Sequence, residues 1–162
     1  MAVETRLIVV EGYGEKAGLE HMRSIANVRG AGFRSTIRCA RGGSPSHIVQ
    51  QAVKQQDFSA FDKRFVVFDA DKYDDREQER VRDLTDRSEI TVIVCAPNYD
   101  ELILRVLGAS PPFGNAKNEL GRLLGGPPED RRSYEGSLSI RLLNEARSLE
   151  ISIDELLKIF DR

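Results

Sequence analysis

Apolar residues follow two rhythms along this chain. Short, β-branched runs with no polar interruption read as buried strands: Leu7–Val10, Phe65–Phe68 and the "ITVIVCAP" segment from Ile90. "STIRCA", Ser35 to Ala40, alternates instead, as a half-covered strand does. Between the strands the spacing lengthens to that of a helix. Ala17, Leu19, Met22, Ile25 and Ala26 mark one over about 15–28. Ile48, Val49, Ala52 and Val53 mark a second, which Ser44 would cap and Pro45 would open. "REQERVRDLTDR" reads as a charged surface helix with internal ion pairs, and "NYDELILRVLG" as a helix stopped by Gly108. "GAGF", Gly30 to Phe33, breaks the chain.

Beyond Gly108 the pattern changes. "ASPPFGN" and "GGPPEDRRS" are breaks around a short helix, Ala116 to Leu124. Two helices should follow, the last opened by a capping box of Ser152 and Glu155. Strands alternating with helices predict an α/β fold: one domain, with a mostly parallel sheet of about four strands flanked by helices. Residues 1–108 would form its core and 109–162 a helical C-terminal extension.

Composition narrows the classes. The 162 residues carry 24 Lys and Arg against 26 Asp and Glu. Such a balance leaves no general basic footprint, so nucleic acid would need a local patch or metal ions. No apolar run is long enough for a membrane span, and none resembles a signal peptide. Cys39 and Cys95 sit in strand-like settings, as reduced core thiols of a cytoplasmic protein would.

The chemistry lies where strands end. In open parallel sheets, active groups collect outside the carboxyl ends of the strands. The first strand runs into "EGYGEK", with Glu11 at its tip and Glu15 one helical turn on, and the third runs into Asp69, Asp71 and Lys72. Alternation would point Asp69 and Asp71 to one side. If the first and third strands are neighbours, Glu11 faces that pair, and the repulsion among the carboxylates calls for a divalent cation. Oxygen ligands without a His or Cys set suit Mg²⁺ or Mn²⁺. Gly12 and Gly14 would leave room for a phosphate. Taken singly, Glu11 also fits a solvated strand end, and Asp69 and Asp71 fit turn or cap positions.

"VVEGYGE" followed by "VVFDADK" resembles the Toprim signature, a Glu after the first strand and DxD after a later one. Within that superfamily the chain is similar to the RloB-like proteins. "EGYGEK" resembles their EG-x-x-E start, and "RGGSPSHIVQQA" their Gly-rich lead into a helix. "CAPNYDELILRVLG" resembles a segment of the form S-N-P-C-F-E-x-W, with Pro97, Tyr99 and Asp100 in matching places. Asn98 stands for the usual Cys, Leu102 for a common Trp, and Asp100 for a longer Glu. The resemblance covers Leu7 to Gly108.

It implies a Toprim-like fold and metal-dependent phosphodiester chemistry. Topoisomerases and primases of this superfamily need further modules, which leaves a nuclease acting on DNA or RNA, associated with phage defence and often encoded beside an ATPase. Glu11, Asp69 and Asp71 would hold Mg²⁺ or Mn²⁺, with Glu15 and Asp100 as further ligands and Lys72 near the developing charge. No Walker-type motif occurs in the sequence, so the ATPase would be a separate chain. The alternative is a catalytically inactive Toprim-like module, an interaction or regulatory subunit of an ATPase-containing complex. Self-association is open under both readings.

Arg34, Arg38, Arg41 and the Gly42–Gly43–Ser44 turn would form a phosphate patch at a helix N-terminus, although exposed arginines also fit plain solvation. His21 and His47 read as surface or boundary residues. A receiver domain would need a Lys after a fifth strand, and no such strand is evident. A haloacid-dehalogenase phosphatase carries its DxD on the first strand. A DxD glycosyltransferase is usually longer.

Overall fold

A computed structural model describes residues 2–26, 32–58 and 60–161. Four strands, β1 (Glu4–Val10), β2 (Phe33–Cys39), β3 (Lys63–Asp69) and β4 (Ile90–Cys95), make one sheet in the order β2-β1-β3-β4, parallel throughout. Helices α1 (Tyr13–Ala26), α2 (Pro45–Phe58) and α3 (Asp75–Thr85) connect them, and α4 (Tyr99–Val106) follows β4. After Gly108 come α5 (Ala116–Leu124), a 3-10 turn (Arg131–Tyr134), α6 (Ile140–Ala146) and α7 (Ile151–Lys158). This is the α/β architecture that the alternating pattern predicted. The expected break at Gly30 and Ala31 lies outside the described residues. No helix among the described residues is long and apolar enough to cross a membrane.

Strand alternation sorts the core into two layers. Leu7, Val9, Val66 and Phe68 face α2 and α3, meeting Ile48, Val49, Ala52 and Val81. Ile8, Val10, Val67 and Ile93 face α1, α4 and the C-terminal helices. Leu120, Tyr134, Leu143, Ile153, Leu156 and Phe160 are buried in that second cluster, so the chain after Gly108 covers what would otherwise be an open sheet face.

Polar contacts fasten this cover. Arg6, buried on β1, donates to the carbonyls of Ile159 and Asp161 and lies 3.7 Å over the Phe33 ring. His21 is buried rather than at the surface, because Leu138 and Tyr134 close over it. Its Nε2 donates to the Leu138 carbonyl at 2.6 Å, and its ring stacks on Tyr134. Ser152 is not the N-cap of the last helix. That helix opens at Ile151, and the Ser152 hydroxyl instead donates to the Val94 carbonyl on edge strand β4, at 2.8 Å. Ser44 does cap α2, accepting from the His47 amide.

α1 and α4 meet at Gly18. Tyr99, buried in α4, lays its ring across that residue, and an added Cβ would sit 1.6 Å from its hydroxyl oxygen and 2.8 Å from Cζ. Gly18→Ala should therefore cost about 2–3 kcal/mol, read from urea unfolding. Adding Tyr99→Phe should recover part of the loss by removing the nearest atom. A Gly18→Ala protein as stable as the parent would show that α1 and α4 are not packed in this way.

Candidate functional site

The sheet order places the first crossover on one side of β1 and the next on the other, so the chain reverses direction between β1 and β3. A crevice opens at such a switch point, beyond the carboxyl ends of the strands. Glu11 leaves β1 there and Asp69 ends β3 there. The two strands are neighbours, as the metal-site argument required. The Glu11 amide donates to the Val67 carbonyl at 3.1 Å, and Glu11 Oε2 accepts from the Asp69 amide at 3.0 Å. Asp69 Oδ1 in turn accepts from the Tyr99 amide at the start of α4, at 2.8 Å. Glu15 comes in from the first turn of α1. Glu11, Glu15 and Asp69 each offer an oxygen, all within 4.8 Å of one another.

Two of these carboxyls are far from their ordinary acidity. Burial, then the Glu15 charge, pushes Asp69 up to about 8, against the pull of the Tyr99 amide. Burial, then the Glu11 and Asp100 charges, pushes Glu15 up to about 7, against backbone hydrogen bonding at Glu15 and Gly12. Lys72 Nζ lies 3.8 Å from Glu11 Oε1. A side chain at Gly12 would come within 2.8 Å of Glu15 Oε2, so the turn after β1 is bare where the carboxylate folds back.

The remaining predicted residues are spread around this centre. β3 ends at Asp69 and the chain tightens into a 3-10 turn over Ala70–Lys72. Strand alternation therefore stops before Asp71, which is exposed on the turn and outside the trio instead of lying parallel to Asp69. Asp100 is half-buried in the first turn of α4, its acidity weakened by burial and restored in part by Lys117. Arg41, Gly42 and Gly43 run in the left-handed region at φ 62, 86 and 107°. The Gly42 amide donates to the Glu11 carbonyl at 2.8 Å, which docks this loop beside the acids.

The residues of the expected phosphate patch are not gathered at the start of α2. Glu77 is buried and accepts from the Ser46 amide at 2.9 Å, and Ser44 takes the His47 amide, so that helix end is already satisfied. Glu77 is thus no part of a solvated face of α3. Arg34 pairs in register with Thr5, six residues before Glu11, which places it about 20 Å below the site along the strand. Arg38, level with Val9, is much nearer.

Sequence reasoning missed the far wall. A pocket of about 180 Å³ beside Glu15 is lined by Gly12, Tyr13, Gly14, Asp100, Lys117, Pro128 and Glu129. Lys117 pairs with Glu129 across it. Below, the Tyr134 hydroxyl donates to the Pro128 carbonyl at 2.9 Å and lies 3.3 Å from the Tyr99 hydroxyl. No local pattern in "GGPPEDRRS" announces that it folds back onto the first helix. A larger cavity of about 430 Å³ between α2 and α3 holds none of the predicted residues. Cys95 is buried, and burial followed by the Asp69 charge pushes its thiol up, as in an inert core cysteine; Cys39 is half-buried.

No family model matches the chain, and neither a curated protein nor a solved structure matches it.

The raised carboxyls make stability depend on pH. Both bind their protons more tightly in the folded than in the unfolded chain, so their contribution is full below the ordinary carboxylate range near 4 and is lost as pH rises through about 7 and 8. The metal-free protein should thus lose stability steadily from pH 5 to pH 8.5. Asp69→Asn should flatten that slope and stabilise the chain at the alkaline end by roughly 1–3 kcal/mol. Chemical denaturation across the pH range measures both, and a parent whose stability rises over this window would contradict the burial of these groups.

Proposed function

We propose that this chain is a metal-dependent nuclease of the Toprim kind, hydrolysing phosphodiester bonds in DNA or RNA, with a role in phage defence. The observation that carries the reading is the convergence of Glu11, Glu15 and Asp69 at the switch point, two of them driven towards neutrality by burial and mutual repulsion. An all-carboxylate donor set of this kind fits Mg²⁺ or Mn²⁺ and not a softer metal. Such an ion, when bound, supplies charge stabilisation at the phosphate and an activated water.

The chain's own residues do the rest. The Asp69 amide fixes the Glu11 carboxylate, and the Tyr99 amide fixes that of Asp69, so both present their free oxygens to the crevice. Glu15 and Asp69 hold their protons more tightly than ordinary carboxyls do, so a cation held there would have to displace them, which would tie affinity to pH. Lys72, mostly exposed on its turn and close to Glu11, is free to swing onto a phosphate oxygen. Asp71 lies on the turn after Asp69, and Asp100 lines the pocket beside Glu15; either would act through a water held on the ion.

A second reading, an inactive interaction or regulatory subunit beside an ATPase, draws on one observation. Leu149 and Ile151, at the corner between α6 and α7, are 85% and 79% exposed. Large apolar side chains left in water on a helical corner suit a protein partner.

A cleavage assay on DNA and RNA with Mg²⁺ or Mn²⁺ decides between them, run with and without a neighbouring ATPase. Glu11→Gln should lower cleavage by roughly a hundredfold or more, because it removes a ligand charge while keeping the hydrogen bond to the Asp69 amide. Asp71→Asn should weaken metal binding in calorimetry while the fold survives. Cleavage equal in parent and Glu11→Gln would place the activity elsewhere, and no cleavage under any condition would favour the subunit reading.

A further inference from the structure

Among the described residues β2 is an edge strand, with β1 as its single neighbour. Its two faces are unlike. Phe33 and Ile37 point into the core below α1, while Arg34, Thr36 and Arg38 point the other way and are exposed. α2 leaves this face open because it packs over β1 and β3 instead. Arg34 and Arg38 therefore stand in line on one bare face, four residues and about 13 Å apart. The chain then enters the loop docked on Glu11. Arg41 is exposed there and holds a left-handed backbone that is uncommon for a non-glycine residue and concentrates at functional sites. Arg23 joins the same edge from α1, its guanidinium donating to the Ser35 carbonyl at 3.0 Å. None of the ion pairs among the described residues uses these four arginines.

We propose that this edge is the track along which a single-stranded nucleic acid reaches the acidic site, its backbone held by Arg34, Arg38 and Arg41 in turn. The direction of travel rests on the nuclease reading; the binding does not. Charge complementarity selects a polyanion, because three guanidiniums in a row, used by no ion pair among the described residues, offer forked donors suited to successive phosphates. The form of the site selects a single strand. The track is one β-strand wide, and at its end Glu15 is buried and Asp69 half-buried, so a phosphate must be lowered between the starts of α1 and α4. A flexible strand can do this and a paired duplex cannot without opening. Tyr13, 51% exposed at the start of α1, offers a face on which a base can stack as the strand crosses Glu11.

The test measures binding apart from cleavage. Fluorescence anisotropy of a labelled single strand of about 20 nucleotides is followed in EDTA over a range of salt, with a duplex of the same length for comparison. The full-length parent is set against the double variant Arg34→Ser, Arg38→Ser, with Arg141→Ser on α6 as a control. The double variant should bind about tenfold or more weakly at low salt, and its salt slope should fall by roughly 1.4, about 0.7 for each lost phosphate contact. The control should match the parent, and the single strand should bind more tightly than the duplex. If cleavage is present, the double variant should raise KM and leave kcat unchanged.

Unaltered affinity and slope in the double variant would overturn the track. If that variant instead self-associates in light scattering, the arginines guard an open sheet edge. No binding by the parent, or a preference for duplex, would overturn it as well. Arginine-dependent binding without cleavage would leave the track standing and remove the nuclease reading. Cleavage indifferent to both arginines would do the opposite.

Discussion

Two carboxyls, Glu15 and Asp69, are withdrawn from water beside each other and beside Glu11, and much of the surrounding structure answers that one unfavourable arrangement. Like charges in a partly dry setting repel strongly, and the ion pairs among the described residues reach Glu11, through Lys72, but not Glu15 or Asp69. What restrains them is backbone. Asp69 rests on the first amide of α4, and Glu15 lies in the first turn of α1, where unpaired amides and the helix dipole favour negative charge. Both helices must therefore aim their starts at the same point. The parallel sheet supplies this aim, because every helix that follows a strand starts at the same edge of the sheet.

Aim is not sufficient without a fixed distance between α1 and α4, and the aromatic contact below the site sets it. Tyr99 seats its ring on Gly18, where any side chain would keep the helices apart. Its hydroxyl meets Tyr134, which bonds back to Pro128 in the wall of the pocket. Tyr134 belongs to the C-terminal segment, and that segment is anchored at its far end by Arg6 on β1. A strand, two helices and the C-terminal cover thus close a loop of contacts around the acids. Loosening any one of them changes the spacing at the carboxylates, so the C-terminal helices bear on the site as well as on the core.

The sheet and the acids at its edge were legible because they depend on local rules. Continuous β-branched runs mark strands covered on both faces, and a charge at the end of such a run can lie only at a sheet edge. Asp71 shows where the local rule stops. Alternation holds while the chain is extended, and nothing in "DADK" signals that it coils immediately after Asp69. His21 and Ser152 misled for a related reason. A polar residue at a helical position reads as exposed or capping until a distant segment arrives, Leu138 over His21 and Val94 against Ser152. Glu77 occupies the start of α2 by the same kind of long-range pairing, which no reading of "GGSP" alone could detect.

Charge placement around the site follows from burial. The acids at the centre are recessed and hydrogen-bonded to backbone, so their positions are fixed and their charges are expensive. The arginines of β2 are exposed, so their charges cost little and reach outward. Fixed carboxylates of the first kind suit a divalent cation, because they cannot retreat from it. A long polyanion is better met by the second kind, which can follow its path. Arg41 lies where the two kinds meet: its side chain is free, but its backbone is held in a conformation that costs of order 1 kcal/mol or more, by a loop bonded to the Glu11 carbonyl. A glycine, such as the adjacent Gly42, would take up a left-handed backbone there without that cost.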